Sequence, residues 1–231
     1  MVSRISVIIP ALNEAESIGR VVASMPWSVI AECIVVDNGS NDGTGEIAAL
    51  AGARVIRSPR GFGAAMFAGS QAALATSDVL MFCDGDGSDD VGDLPMVVGM
   101  IERGEADFVL GSRLRGQREV GSMLGSQVFA GHLIGWLVRS FYGFRYTDMG
   151  PFRAIRRSSL EAMRMTEMTY GWNLEMQIKA IQDGLRICEI PVNYRRRMGG
   201  ESKVSGNLAA SFKAAVRIFG VLLRTRRGAA K

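Results

Sequence analysis

The sequence predicts an α/β protein with a mostly parallel central sheet flanked by helices. Short runs rich in Val and Ile alternate with helix-like segments through the first half of the chain, as in doubly wound sheets. The runs Val7–Ile9 and Ile34–Val36 are apolar at every position, which is typical of strands buried on both faces of a parallel sheet. The length of 231 residues suits one large domain with its own core.

The first half of the chain predicts five strands separated by four helices. The predicted strands are Ile5–Ile9, Cys33–Val36, Arg54–Ile56, Val79–Cys83 and Phe108–Leu110. The predicted helices are Glu14–Met25, Gly43–Leu50, Gly63–Ala75 and Leu94–Glu102. Because each helix lies between two strands, the segments form successive βαβ units, whose strands run parallel.

The second half is less regular and predicts a second set of elements. These are helices at Gly121–Tyr142 and Trp172–Asp183, strands at Phe152–Ile155 and Leu185–Ile190, and a final amphipathic helix at Asn207–Arg224. The sequence contains no internal repeat and no linker that would separate two independent units. We therefore expect one catalytic domain over residues 1–206 and a basic amphipathic helical extension over residues 207–231.

The histidine and cysteine content excludes several kinds of site. His132 is the one histidine, so a His-rich metal site is excluded and a Ser-His-Asp triad would have to use it. The three cysteines, Cys33, Cys83 and Cys188, form no Cys-x-x-Cys pair. Their spacing argues against zinc ribbons and thioredoxin-like redox sites, and it favours reduced thiols in a cytoplasmic protein.

The positive charge is concentrated at the C-terminus. Residues 195–231 hold ten Lys and Arg residues against Glu201 alone, a net charge of +9 in a chain whose total is +4. Such a segment predicts an anionic partner. An amphipathic basic helix at 207–224 favours a membrane surface, whereas packing on the domain and a homodimer contact are the alternatives. We expect no nucleic-acid binding, because the sequence has no recognition motif and no aromatic platform.

The sequence predicts no membrane-spanning helix. Its longest weakly polar stretch, Leu124–Phe144, contains Gln127, His132 and Arg139, whereas a span needs about 20 predominantly apolar residues. The N-terminus also lacks the small-residue cleavage site of a signal peptide. We therefore expect a cytoplasmic protein, with peripheral contact to the inner face of the cell membrane left open.

Polar loops follow all five strands of the first half. They are Pro10–Glu14, Asp37–Thr44, Ser58–Gly63, Asp84–Asp90 and Gly111–Arg113. Ligands of open parallel sheets bind at the carboxyl ends of the strands, so these loops predict the functional site. Gly61 and Gly63 precede a predicted helix, which fits either a phosphate-binding loop or a plain connection.

Asp84 and Asp86 are the most specific feature of these loops. Two carboxylates one residue apart at a strand end can hold one hard cation, Mg²⁺ or Mn²⁺, whose remaining ligands are phosphate oxygens and water. Such an ion neutralises charge on a leaving diphosphate. The alternative is an acidic turn, since Asp-Gly pairs are common in turns. An EF-hand is excluded because no Glu stands at its twelfth position.

These motifs together resemble the family 2 glycosyltransferases, which have the Rossmann-like GT-A fold. The resemblance rests on Pro10–Glu14, Asp37–Thr44 and Asp84–Asp86. Three later motifs, Gly111–Arg113, Thr147–Arg153 and Gly199–Lys203, are similar to the branch that makes polyprenyl-phosphate sugars, such as dolichyl-phosphate mannose synthase. The likeness extends from Ile5 to about Gly206. That branch often has Gln where this chain has Ser88, which argues against mannose as the donor sugar.

The resemblance implies a role for each matching residue. Pro10, Ala11 and Glu14 would surround the nucleotide base and ribose, and Asp37 would bind the base or ribose. Asp84 and Asp86 would hold the metal and the donor diphosphate. Arg113 would face the transferred sugar or the acceptor phosphate, while Arg197 and Lys203 would clamp phosphates from the far side.

The choice of acceptor depends on whether a base is needed. A hydroxyl acceptor normally needs a general base, and Asp148 and Glu175 are the candidates. A phosphate monoester is already largely ionised at neutral pH, so it needs cations to position it. We expect metal-dependent inverting transfer of a hexose from a GDP- or UDP-sugar to an undecaprenyl or dolichyl phosphate. The alternatives are a soluble hydroxyl acceptor and a non-catalytic nucleotide-sugar-binding module.

Overall fold

The central element of the fold is a sheet of seven described strands in the order β3-β2-β1-β4-β6-β5-β7. The computed structural model describes residues 4–199 and, beyond them, residue 220. The strands are β1 (Ile5–Ala11), β2 (Glu32–Asp37), β3 (Arg54–Arg57), β4 (Val79–Phe82), β5 (Phe108–Ser112), β6 (Arg153–Arg156) and β7 (Ile187–Pro191). The helices are α1 (Ile18–Ala23), α2 (Thr44–Leu50), α3 (Phe62–Ala72), α4 (Leu94–Glu102), α5 (Gly125–Tyr142), α6 (Arg157–Met163) and α7 (Trp172–Gln182).

The strand directions confirm the predicted fold class. Among the described strands, only β6 runs antiparallel to its neighbours, β4 and β5, and the other pairs are parallel. Each of the five strands predicted in the first half is present, with bounds shifted by at most a few residues. The result is a mostly parallel sheet flanked by helices.

Apolar side chains cover both faces of the sheet. On one face Val7 and Ile9 of β1 pack in a core with residues of α1, α2 and α4. On the other face Ile8 packs in a second core with residues of α3, α5, α6 and α7. The uninterrupted apolar strands predicted from the sequence are therefore explained by burial on both sides.

Three helices differ from the sequence prediction, and one of them is α5, which begins at Gly125 rather than Gly121. The first helix begins at Ile18, because the residues before it form a turn whose amides bond to another loop. Glu14 donates its backbone N–H to Thr44 Oγ1 at 2.9 Å, and Ala15 donates to Asp42 Oδ2 at 3.1 Å. The short helix α6 was not predicted; it follows β6 with no intervening loop.

Apart from residue 220, the predicted C-terminal extension lies outside the described residues. The helix expected at 207–224 and the domain boundary at residue 206 therefore remain predictions. Within the part of the chain that the structure describes, none of the helices combines the length and apolarity required to cross a bilayer. The segment containing Gln127, His132 and Arg139 is instead α5, which is largely exposed.

Candidate active site

The carboxyl ends of the parallel strands bring the predicted loops together. Ala11 at the end of β1 is paired with Asp37 at the end of β2, and Asn38 donates its N–H to the Ala11 carbonyl at 2.9 Å. Beside them, β4 is in register with β1 and leads directly into the Asp84 loop. Pro10 and Ala11 therefore lie at the same sheet edge as the acidic residues that follow β2 and β4.

Asp37 lies at one end of this edge, and its loop is held in place by hydrogen bonds. The buried Asp37 carboxylate accepts the Ser40 N–H at 2.8 Å. Asn13 connects the loop after β1 to the loop after β2, since it accepts the Asn41 N–H at 3.0 Å and donates its own N–H to Ser40 Oγ at 3.0 Å. An open cleft of about 260 Å³ beside Asp37 is also lined by Arg57. These contacts fix the loops before any ligand binds.

The acidic loop after β4 is ordered by its own side chains. Asp86 Oδ1 accepts two hydrogen bonds from Ser88, one from the backbone N–H at 2.9 Å and one from the hydroxyl at 2.5 Å. Asp89 is buried, and its Oδ2 accepts the backbone N–H of Asp84 at 2.9 Å. Asp89 thereby stabilises this loop, and Asp90 caps the turn that follows by accepting the Gly92 N–H at 3.2 Å.

The carboxylates of this loop suit a hard divalent cation. Burial raises the pKa of Asp84 well above its ordinary value, and repulsion from Asp86 and Asp89 raises it further. Burial likewise raises the pKa of Asp89 to about 7. Asp89 Oδ1 is buried and has no hydrogen-bond partner among the residues that the structure describes. A cation would relieve this repulsion, and a donor set made only of oxygens is what Mg²⁺ and Mn²⁺ prefer.

The described residues form no complete metal cage. Across residues 4–199 no group of three His, Cys, Asp or Glu side chains is placed to hold one ion. Asp84 and Asp86 therefore fit an ion that keeps most of its coordination positions for phosphate oxygens and water, as Mg²⁺ commonly does in nucleotide sites.

Arg197 connects the acidic loop to the loop after β1. Its Nη2 donates to Glu14 Oε1 at 2.9 Å, and its Nε lies 3.5 Å from Asp86 Oδ2. The structure therefore brings Glu14, Asp86 and Arg197 together. Lys203, which was predicted to act with Arg197, lies outside the described residues and remains a prediction.

Arg113 lies across the site in a bidentate ion pair with Asp148. Its Nε and Nη2 donate to the two Asp148 carboxylate oxygens at 2.7 and 2.8 Å, and its guanidinium stacks on the Tyr194 ring at 4.9 Å. Burial acts to lower the pKa of Arg113, but the bonds to Asp148 outweigh it, so this pKa is raised. Asp148 is the reverse case, because burial raises its pKa and the bonds from Arg113 lower it overall. The arginine is therefore held as a cation at a fixed position.

Neither carboxylate considered as a general base is available for that role. Asp148 is committed to Arg113, as described above. Glu175 is buried and accepts hydrogen bonds from the Thr166 N–H and hydroxyl and from the Glu167 N–H at 2.7 Å. It also pairs with Lys179 at 2.9 Å. Although burial raises the pKa of Glu175, these bonds lower it below its ordinary value, so the group is a structural anion.

Arg153 is a positioning residue that the sequence motif contained but to which no role was given. It is fully buried, and its Nε and Nη1 donate to the carbonyls of Gly150 at 3.1 Å and Asn173 at 3.0 Å. Burial lowers its pKa to about 10, which still leaves it charged at neutral pH. Arg153 thereby holds the loop that carries Asp148. The sequence signal for this role was an arginine within a run typical of a buried strand, where arginine is rare unless it is paired.

The phosphate-loop hypothesis for Gly61 and Gly63 is wrong. At the start of α3 the amides of Gly63 and Ala64 donate to the carbonyls of Thr169 at 3.2 Å and Met168 at 2.9 Å. A Cβ on Gly63 would lie 2.4 Å from the Glu167 carbonyl oxygen. These glycines allow a loop to pack closely on the helix, and that loop takes the hydrogen bonds that a phosphate would need.

The fold and its acidic edge define a glycosyltransferase of the GT-A class. The structure is similar to crystal structures of glucosyl-3-phosphoglycerate synthase from Mycobacterium tuberculosis. The complex with phosphoglyceric acid has a TM-score of 0.76 at 25% identity over 96% of this chain and 80% of that one. A complex with Mn²⁺, UDP-glucose and phosphoglyceric acid has the same TM-score at 23% identity, covering 97% and 80% of the two chains.

The family is shown by the sequence comparison. The family model "Glycosyl transferase family 2" matches residues 6–164, so this chain belongs to the family 2 glycosyltransferases. It is 38% identical to an uncharacterized glycosyltransferase of Mycobacterium tuberculosis over 91% of this chain and 94% of the relative. It is also 31% identical to the undecaprenyl-phosphate mannosyltransferase of Micrococcus luteus over 96% of each chain.

Proposed function

We propose that this glycosyltransferase moves a hexose from a GDP- or UDP-sugar to a polyprenyl phosphate, with inversion at the anomeric carbon. The observation that carries the proposal is the fixed Arg113 guanidinium beside the acidic loop, together with the commitment of Asp148 and Glu175 to other contacts. A site with cations, in which both carboxylates considered as general bases are engaged in other contacts, suits an acceptor that is already ionised.

On the donor side, the proposed roles follow the order of the loops. Pro10, Ala11, Glu14 and Asp37 bind the nucleoside. Asp84 and Asp86 hold Mg²⁺ or Mn²⁺, which supplies charge neutralisation to the leaving diphosphate when it is bound. The crystallised complex of the mycobacterial synthase with Mn²⁺ and UDP-glucose supports the same kind of donor and ion here.

On the acceptor side, Arg113 grips the phosphate of the lipid, while Arg197 and Lys203 clamp phosphates from the far side of the site. Arginine suits this role because its guanidinium carries five N–H donors, so donors remain for a phosphate beyond the two that bond to Asp148. The pKa of Arg113 is raised, so its charge is constant over the whole physiological range. The undecaprenyl-phosphate mannosyltransferase relative supports the lipid acceptor.

A soluble acceptor is the second candidate. It is favoured by the similarity to glucosyl-3-phosphoglycerate synthase, a protein crystallised with phosphoglyceric acid. A hydroxyl acceptor needs its proton removed, and both carboxylates proposed for that task are occupied in this structure. We therefore rank it below the lipid phosphate.

The outer surface of α5 suits a peripheral location on an anionic membrane. Phe129, Leu133 and Trp136 lie on one side of the helix and are 69%, 45% and 62% exposed. The helix has no acidic residue, and residues 114–147 hold four exposed arginines, Arg115, Arg118, Arg139 and Arg145, against one glutamate. Exposed aromatic and aliphatic groups next to basic ones favour the interface of an anionic bilayer.

The experiment that tests the function is a matched comparison of acceptors. The full chain is incubated with Mn²⁺ and UDP-glucose or GDP-mannose, and the acceptor is a short polyprenyl phosphate, the corresponding polyprenol or 3-phosphoglycerate. Of the three acceptors, we expect polyprenyl phosphate alone to give release of nucleoside diphosphate and a sugar-phosphate lipid. We expect Asp86→Asn to lose this activity. Transfer to the alcohol or to 3-phosphoglycerate without transfer to the lipid phosphate would refute the proposed acceptor.

A further inference from the structure

Arg197 occupies the position where a cation is needed between two carboxylates. Its guanidinium contacts Glu14 Oε1 at 2.9 Å and approaches Asp86 Oδ2 at 3.5 Å. The second contact is an ion pair without hydrogen-bond geometry, and the buried Nε has no hydrogen-bond partner among the described residues. Arg197 thus neutralises the acidic edge without being fully bonded there.

The two carboxylate oxygens of Asp86 have different neighbours. Its Oδ1 is held by the Ser88 N–H and hydroxyl, whereas its Oδ2 faces Arg197. A divalent ion bound by Asp86 would therefore approach the oxygen that Arg197 already faces. Two cations next to the same carboxylate oxygen repel each other, so the Arg197 guanidinium and the ion compete for Asp86 Oδ2.

The backbone that carries Arg197 is attached to the same loop. Met198 donates its N–H to the Asp86 carbonyl at 2.9 Å, and Arg195 donates its N–H to the Ser88 carbonyl at 2.8 Å. Met198 also covers Gly87, where a Cβ would lie 2.7 Å from its side chain. With the backbone fixed on both sides of residue 197, the side chain alone has to turn away when an ion enters.

We propose that Arg197 acts as an internal substitute for the metal, and that it thereby couples metal binding to nucleotide binding. The ion alone must displace the guanidinium from Glu14 and Asp86, which weakens its binding. A nucleoside diphosphate brings negative charge that accepts both the ion and the displaced guanidinium, so the two ligands bind together. Coupling of this kind is reciprocal and typically amounts to about 5- to 150-fold in affinity.

The proposal rests on the metal site of the proposed function and is tested without measuring activity. Binding of Mn²⁺ to the full chain is followed by the loss of its free-ion EPR signal, first alone and then with UDP or GDP. We expect Arg197→Gln to bind Mn²⁺ alone several-fold more tightly than the wild type, while UDP or GDP strengthens Mn²⁺ binding less than it does in the wild type. Arg197→Lys, which keeps the charge, should resemble the wild type.

Arg195 provides a matched control. It lies two positions away, has the same charge, and pairs with Asp90 at 2.6 Å rather than with Asp86. If Arg195→Gln strengthens Mn²⁺ binding as much as Arg197→Gln, the effect is general electrostatics and the proposal is overturned. Unchanged Mn²⁺ binding in Arg197→Gln also overturns it, because a simple phosphate clamp predicts that result.

A further variant separates this inference from the proposed function. Asp86→Asn should abolish Mn²⁺ binding whatever Arg197 does. If Asp86→Asn still binds Mn²⁺ as the wild type does, the proposed metal site fails. If Asp86→Asn does not bind Mn²⁺ and Arg197→Gln binds it as the wild type does, the metal site stands and the proposed coupling alone is refuted. Circular dichroism melting of each variant shows whether a lost signal reflects unfolding.

Discussion

At the scale of single residues, Arg113 illustrates how a surface of the site is preorganised. Its backbone N–H, Nε and Nη2 all donate to Asp148, and Tyr194 stacks on the other side of the guanidinium. A side chain restrained by two hydrogen bonds and a ring loses little conformational freedom when a phosphate arrives. The geometry therefore favours binding of an anion over movement of the arginine.

Replacement of Arg113 by Lys should damage acceptor use more than donor use. Lysine keeps the charge but cannot form the two parallel bonds to Asp148, so the cation is no longer held at one position. We expect transfer to polyprenyl phosphate to fall by about 10- to 100-fold, the equivalent of roughly 1.5–3 kcal/mol for bonds to a charged group. Steady-state kinetics with varied lipid phosphate measure this change.

Arg115→Lys is the control for this prediction. Arg115 is two residues further along, is exposed, and donates to the Glu189 carbonyl. It should retain nearly full activity. Equal losses in the two variants would show that the region needs its arginines for general electrostatic reasons and not for the clamp on Asp148.

At the scale of elements, Glu175 of α7 holds the 164–169 loop that packs on α3. Its folded pKa is below the ordinary value of 4.5, so the ionised group stabilises the fold above that pH, and the stabilisation is lost as the pH falls further. Glu175→Gln should lower the free energy of unfolding by about 1–3 kcal/mol at neutral pH, because a buried hydrogen-bonded charge is removed.

The difference between the wild type and Glu175→Gln should shrink as the pH falls below about 4.5. Urea unfolding at a series of pH values measures it. The exposed Glu161 of α6, which makes a longer pair with Arg157 at 3.7 Å, provides a control substitution with a small expected effect. A difference for Glu175→Gln that is the same at every pH would contradict the assignment of the ionised form.

The exposed side of α5 makes a prediction about membranes. Trp136→Ser and Phe129→Ser should each reduce binding to vesicles of phosphatidylcholine with phosphatidylglycerol by about tenfold, since each removes an aromatic group from the interface. Co-sedimentation measures the bound fraction. Trp27, also 42% exposed but located after α1, is the control, and Trp27→Ser should bind normally. Equal losses for Trp27 and Trp136 would contradict a role for α5.

The sequence predicted the strands, which depend on residues close together in the chain. It did not predict the ion pairs of the site, which join residues far apart in the chain. The strands before Asp37 and Asp84 followed from short apolar runs, and the shared sheet edge followed from parallel pairing. The ion pair of Arg113 with Asp148 joins positions 35 apart, and that of Arg197 with Glu14 joins positions 183 apart. No local pattern contains such pairings, because they depend on how the complete sheet places its loops.

At the scale of the whole molecule, the charges are divided between the sheet edge and the C-terminal segment. Residues 207–231 contain six basic residues and no acidic one. We propose that this segment strengthens binding to anionic lipid, at roughly 1 kcal/mol for each basic residue near the surface. The loop at Asp84–Asp90, in contrast, is acidic, and Arg197 approaches its Asp86 carboxylate at 3.5 Å.

A chain that ends at residue 206 tests this division. We expect it to keep its melting temperature and its binding of Mn²⁺ with a nucleoside diphosphate, and to bind anionic vesicles much more weakly than the full chain. The full chain with Lys213 and Arg217 changed to Gln should be intermediate. Loss of the folded state in the shortened chain would contradict the predicted domain boundary, and unchanged vesicle binding would contradict the proposed role of the segment.

The reversed strand β6 has a consequence for how the protein is made. β3, β2, β1 and β4 are complete once residue 82 has been synthesised, but β5 joins the sheet through β6, which ends at residue 156. Until then β4, with its apolar sequence VLMF, presents an unpaired edge, and such edges recruit strands from other chains. A nascent chain is therefore aggregation-prone while the next stretch of about 70 residues is synthesised. Any fragment that ends before β6 leaves the edge of β4 unpaired.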